Sequence, residues 1–194
     1  MMGIHEGAPG VDAESTRFER LFRRHHGAVV AYVRRRAPAE GVDDVVGETF
    51  LVAWRRLDGV PDEELPWLLG VARNVLATQR RGAHRRRALT LRLGTAAPAG
   101  TDGAEPAPSV DGVDGRLLAA LANLSEKDRE ALTLTAWDGL EPHEAAAVLG
   151  DSPAAFRVRL HRARGRFRRL LDERSSLAPP RSEQHRLRVE ENHS

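Results

Sequence analysis

The stretch LGDSPAAFRVRLHRARGRF, residues 149–167, sets five arginines behind a Gly-Asp-Ser-Pro turn. Guanidinium groups carry fixed charge and fork onto oxyanions, so such a run suits phosphate contacts. The first turns of the same helix suit hydrogen bonds to base edges. Phe156, Leu160, Ala163, Phe167 and Leu170 recur at spacings of three and four and form one helical stripe. Arg157, Arg159, Arg162, Arg164, Arg166, Arg168 and Arg169 fill the remaining faces. Ser152 suits the N-cap and Pro153 the first helical turn. For this run taken alone, a solvated arginine-rich terminal helix is the alternative.

A helix-turn-helix needs a small residue where its helices cross, a glycine to turn the chain and an apolar residue to seat the second helix. Ala146, Gly150 and Phe156 occupy those places. Asp151 departs from the pattern, since the position after the glycine is usually apolar. Two further constellations lie upstream. Asp44 and Glu48, four apart in DDVVGETFLVAW, share an exposed helix face. In PWLLGVARNVLATQRRGAHRRR, Leu68, Val71, Ala72, Val75 and Leu76 form the buried side, and Arg73, Ala77, Arg80, Arg81 and His84 look outward. Trp54 and Trp67 sit at core spacing, which favours packing over a role as stacking platforms.

Catalytic chemistry finds no foothold. The chain has no cysteine, which excludes disulfides, thiolate zinc sites and cysteine nucleophiles. Its eight histidines show no carboxylate–histidine spacing for a metal. There is no glycine-rich phosphate loop and no nucleophile motif. The expectation is a protein that is not an enzyme, with no cofactor, metal or small-molecule substrate.

These groups must be positioned by helices, because no strand pattern and no internal repeat is present. Phe18, Leu21, Phe22, Val29, Tyr32 and Val33 are helically spaced, and Pro38 and Gly41 end that helix. Val46, Phe50, Ala53, Trp54 and Leu57 form the next stripe, and Pro66 opens a third helix. The reading is all-α: a disordered arm over 1–14, a helical domain over 15–90, a flexible linker over 91–115, a helix-turn-helix domain over 116–174 and a disordered tail over 175–194. Residues 94–115 are rich in Gly, Pro and Ala, and their only charges are Asp102, Glu105, Asp111 and Asp114. Ser125 with Asp128 resembles a capping box ahead of the helix starting at Glu126.

The net charge is only +2, from 30 basic and 28 acidic residues, so distribution matters more than the sum. Lys127 is the only lysine; genomic GC content alone favours arginine, which discounts arguments from arginine counts. No apolar run approaches the roughly 18 residues that suggest a membrane span. With no signal-peptide pattern either, the expectation is a cytoplasmic chain without membrane insertion.

DDVVGETFLVAW, then WLLGVARNVLATQRRGAHRRR, then the linker, then LANLSEKDREALTLTAWDGLEPHEAAAVLG followed by RLHRARGRFRRLL together resemble sigma-70-type sigma factors of the extracytoplasmic-function group. The resemblance covers residues 17–172 with both domains in the expected order. It implies that Asp43, Asp44, Glu48, Thr49 and Phe50 dock on the coiled-coil clamp of core RNA polymerase. A solvated acidic face is the alternative for Asp44 and Glu48, and Gly47 stands where the family usually has glutamine. It implies that Arg73, Asn74, Thr78, Arg80 and Arg81 meet the −10 promoter region; Thr78 stands where many relatives carry aspartate. It implies that Arg157, Arg159, His161 and Arg162 enter the −35 major groove, with Ser152 and Ala154 near the backbone. Arg166, Arg168 and Arg169 lie beyond reach of base edges, as phosphate contacts or in solvent. The implied partners are core RNA polymerase, promoter DNA and, as usual in the family, an anti-sigma factor. Family members thread the linker toward the polymerase active-site channel, where its acids fit a phosphate mimic or a plain solubilising spacer. A stand-alone helix-turn-helix regulator is the rival. It explains residues 116–172 and leaves the acidic helix and the ARN…RR helix unassigned.

Overall fold

The computed structural model describes residues 9–92 and 115–176, and among these every regular element is helical. Helices α1 (Pro9–Arg34), α2 (Val42–Arg55) and α3 (Glu64–Arg92) form the first half, with short 3-10 turns at Ala39–Gly41 and Leu57–Gly59. Helices α4 (Gly115–Ala122), α5 (Glu126–Ala136), α6 (Pro142–Leu149) and α7 (Pro153–Ser176) form the second. The expected arm over 1–14 gives way to helix from Pro9, a residue suited to a first turn because no N–H is needed there. The linker beyond Arg92, the tail beyond Ser176 and the first eight positions lie outside the described residues.

The helices form where the spacing of apolar residues demands. On α2, Val42, Val45, Val46, Thr49, Phe50 and Ala53 are buried, which is one continuous stripe at helical period. On α3 the buried positions include Pro66, Leu68, Leu69, Ala72 and Leu76. That helix starts at Glu64, two residues ahead of Pro66, which still lies in the first turn and so breaks no internal hydrogen bond. α5 is capped by Ser125, whose Oγ accepts from the Asp128 backbone N–H at 3.2 Å. The Asp128 carboxylate turns instead to Arg166, so only half of the expected capping box forms. A complete box stands at α6, where the Glu144 carboxylate accepts from the Glu141 N–H at 2.7 Å.

Nothing in the sequence reading joined the two halves, yet they pack directly. One buried cluster runs from Leu21, Val29, Val45 and Leu68 through to Leu134, Ala145, Leu149 and Phe156. α3 lies against α6, while α7 lies across α5, α6 and α4. The physical reason is size: small helical groups bury too little apolar surface alone, and sharing a core removes more of it from water.

Candidate functional site

The turn between α6 and α7 is built as the spacing requires. Gly150 takes φ +68°, a conformation that costs a glycine little, and its N–H closes onto the carbonyl oxygens of Ala146 and Ala147. Ala146 is buried beneath the crossing, and Phe156 is fully buried where it seats α7. The Ser152 hydroxyl accepts from the Ala155 N–H at 3.2 Å and caps α7. The apolar stripe ending in Leu160 and Ala163 holds the helix down. Ala154, Arg157, His161 and Arg162 then share one exposed outer face, at steps of three, four and one.

Arg159 is not on that face. It is half-buried, and its Nε donates to Asp151 Oδ2 at 2.9 Å while Nη1 lies 3.9 Å from Asp128. The expectation that Arg159 enters a major groove is corrected by this geometry: its fork is turned back into the domain. The same pair explains why the position after Gly150 is acidic and not apolar, since Asp151 supplies the carboxylate Arg159 needs. Arg166, exposed as expected, also bonds the nearly buried Asp128 and braces α7 on α5.

On α2 the outer face carries Asp43, Asp44, Gly47, Glu48 and Leu51, all exposed. Thr49 and Phe50, expected among the docking residues, point the other way. Thr49 is fully buried and its hydroxyl donates to the Val45 carbonyl at 2.7 Å. Phe50 sits in an aromatic cluster with Phe22 at 4.7 Å and Phe18 at 6.4 Å. Neither can meet a partner without unpacking the core. Trp54 reverses its expectation too: it is 41% exposed, edge-on to Phe18 at 5.0 Å. Exposed Leu51 and Trp54 thus add an apolar patch beside the acids, which the sequence reading missed. Counting three on from Glu48 would have found Leu51.

On α3, Asn74 and Arg81 are exposed, with the Thr78 hydroxyl donating to the Asn74 carbonyl at 2.9 Å and accepting from Arg81 at 3.0 Å. Arg73 and Arg80 are engaged by α5. Arg73 Nε donates to Glu130 Oε2 at 3.0 Å, and Tyr32 donates to the other oxygen of that carboxylate at 3.0 Å. Arg80 Nη1 reaches Glu126 Oε1 at 2.9 Å. Just beyond α5, Gly139 turns the chain at φ +68° and leaves Asp138 between Arg35 and Arg36. Arg36 also donates to Thr133 Oγ1 at 2.9 Å and lies 3.7 Å over the Tyr32 ring. Burial lowers the Arg73 pKa, but the charge and hydrogen bond of Glu130 more than offset it, so the guanidinium is held protonated more firmly than usual. Tyr32 moves far up, chiefly because its phenol is buried and also because it faces carboxylates.

The sigma-70 region 2 family matches residues 21–86, which hold α2 and most of α3, and the sigma-70 region 4 family matches 114–167, which hold the turn. The RNA polymerase sigma factor CarQ of Myxococcus xanthus is 35% identical over 168 residues, covering 84% of this chain and 93% of CarQ. CnrH of Cupriavidus metallidurans is 36% identical over 166 residues, covering 80% and 86%. The ECF sigma factor SigL of Mycobacterium tuberculosis is 30% identical over 167 residues, covering 83% and 92%. The chain belongs to the extracytoplasmic-function sigma factors. A solved structure of CnrH in complex with the cytosolic domain of CnrY superimposes with a TM-score of 0.54 at 33% identity, covering 80% of this chain and 88% of that one. The sigma factor is a transcription initiation factor: it binds core RNA polymerase and directs promoter-specific initiation. Among the described residues, no helix is long and apolar enough to cross a membrane.

Proposed function

We propose that the sigma factor docks on core polymerase through the outer face of α2, with Asp43, Asp44 and Glu48 supplying charge and Leu51 and Trp54 apolar contact. Aromatic and aliphatic side chains beside a charged rim are the composition of a specific docking surface. Helix α3 meets the −10 element through Arg73, Asn74, Thr78, Arg80 and Arg81. The N-terminal half of α7 enters the −35 major groove through Arg157, His161 and Arg162, with Ser152 and Ala154 against the phosphate backbone. The work takes place in the cytoplasm, and an anti-sigma factor restrains the chain; the solved structure of CnrH holds a protein partner, the cytosolic domain of CnrY.

The observation that carries this reading is the turn at Gly150 with Phe156 seated beneath it, which leaves the Arg157–His161–Arg162 face outward on a rigid helix. Run-off transcription with core polymerase on a genomic promoter library, with and without the chain, tests it. Discrete start sites that appear only with the chain, and vanish when Arg157 and Arg162 are both changed to alanine, are expected. Start sites that survive the double substitution would remove α7 from promoter selection.

A further inference from the structure

Beside α3 and α5 lies a cavity of about 340 Å³ whose walls are rich in cations. Arg35, Arg36, Arg73, Arg80, Arg81 and Arg129 all line it. Three carboxylates answer them. Glu130 bonds Arg73, Glu126 bonds Arg80, and Asp138 holds both Arg35 and Arg36. Among these groups six guanidiniums meet three carboxylates, which leaves a surplus of three positive charges around one small space.

Two details show that the wall is short of acceptors and not of donors. Arg35 Nε is buried and has no hydrogen-bond partner among the described residues, although the Nη end of the same side chain is fixed by Asp138. A donor taken out of water without an acceptor destabilises the arrangement that holds it. Arg129 has its pKa lowered, first by burial and then by repulsion from Arg80 and Arg36, with Glu130 opposing. An anion placed among these groups would raise that pKa again and favour the charged form of every arginine in the wall.

Charge and size define the complement. Each guanidinium offers five N–H donors in a rigid fork suited to oxyanions. One phosphate group brings a charge of about −1.5 to −2 at neutral pH, so a single phosphate leaves part of the surplus unmet and two linked phosphates match it. The volume falls in the small-ligand range of roughly 300–1,000 Å³ and is far too small for a nucleic-acid duplex. Trp137, half-buried, forms part of the same wall and offers an indole face on which a base can stack. The Tyr32 ring, also in the wall, is already covered by Arg36 at 3.7 Å.

We propose that this cavity is a binding site for a small molecule bearing a diphosphate group, held by Arg35, Arg36 and Arg129 together with Arg73, Arg80 and Arg81. Residues of α1, the turn after it, α3 and α5 all contribute to the wall, so the site exists only in the folded chain and its ligand raises Tm by mass action. Arg73, Arg80 and Arg81 are also the arginines assigned to the −10 element, so ligand and promoter compete for them. That consequence rests on the reading of α3 as the −10 helix; the site itself does not.

Isothermal titration calorimetry of the full-length chain with sodium pyrophosphate, in magnesium-free buffer at physiological ionic strength, reads the site directly. One equivalent should bind, roughly tenfold or more tighter than orthophosphate, with a rise in Tm. Arg129→Gln should weaken pyrophosphate by roughly tenfold, while Arg20→Gln, an exposed arginine of α1 outside the cavity wall, should leave it unchanged. Equal affinity for pyrophosphate and orthophosphate, binding without saturation, or equal losses in the two variants overturns the proposal. Should Arg129→Gln misfold, Arg81→Gln takes its place under the same criteria, since the Arg81 side chain bonds Thr78 on its own helix. Adenosine diphosphate separates the sources of the anion. Tighter binding than pyrophosphate that Trp137→Leu removes identifies a nucleotide, and equal or weaker binding identifies a bare diphosphate; binding of neither overturns the site. The saturated chain should also lose affinity for a single-stranded oligonucleotide carrying a −10 element found by run-off transcription. If pyrophosphate binds as expected and the oligonucleotide is unaffected, the −10 reading of α3 falls while the site stands.

Discussion

Gly47 occupies the sixth position of the 14-residue helix α2, exposed, on the face assigned to polymerase docking. A glycine in a helix interior costs about 1 kcal/mol relative to alanine, because the unfolded chain loses more freedom on ordering. That penalty is recoverable only if a side chain fits, and a Cβ built at Gly47 meets nothing within 4 Å. Gly47→Ala should therefore stabilise by about 0.5–1 kcal/mol. The size of the melting shift depends on how the chain unfolds. If the shared core makes the whole chain one cooperative unit, about 1 kcal/mol raises Tm by roughly 2–4 °C; a first half melting alone would rise by roughly 4–8 °C. Differential scanning calorimetry of the full-length chain reads both the shift and the number of transitions. Gly47→Gln should stabilise less, since glutamine is the poorer helix former, but should tighten association with core polymerase where Gly47→Ala does not. A fall in Tm for Gly47→Ala would overturn this expectation, because only a steric clash or an altered local backbone could cause it.

The other predictions concern neighbouring surfaces. Reversing Asp44 and Glu48 to arginine should weaken co-purification with core polymerase while circular dichroism stays unchanged, because both side chains are exposed. Arg157→Ala should cost about 1–3 kcal/mol of discrimination at one −35 position in a promoter selection. Arg159→Ala should instead lower stability by about 1–2 kcal/mol, as the loss of a charged hydrogen bond to Asp151, and leave base preference alone. Phe156→Ala should cost about 3–5 kcal/mol in urea unfolding by leaving a cavity under α7.

What the sequence disclosed was whatever local periodicity encodes. The stripe from Phe156 to Ala163, the turn at Gly150 and the exposed acids of α2 are all set by neighbours within a few residues. The contact between halves left no such trace. Tyr32 and Glu130 are separated by 98 positions and Arg35 and Asp138 by 103, so no window along the chain contains both partners. Arg73 reads as an outward arginine on a helical wheel, and it does face outward from its own helix bundle; the second half covers it. Helical spacing also cannot tell the centre of a stripe from its edge. Phe50 and Trp54 share a stripe, yet one is buried and the other half in solvent, because Phe50 is enclosed by both Phe18 and Phe22 of α1 while Trp54 meets α1 edge-on through Phe18. Arg159 was misplaced for a related reason: the wheel shows which way a residue leaves the helix, not that Asp151 waits there to bend the fork back.

In the proposed function, α3 and α7 address two separate promoter elements within one initiation complex. A photo-cross-linking residue at exposed Asn74 and another at exposed His161, each in holoenzyme on a promoter found by run-off transcription, locates both helices by the bases they label. Asn74 should label the −10 element and His161 the −35 element. Labelling of the −10 element by His161, or of polymerase alone by both positions, would contradict it.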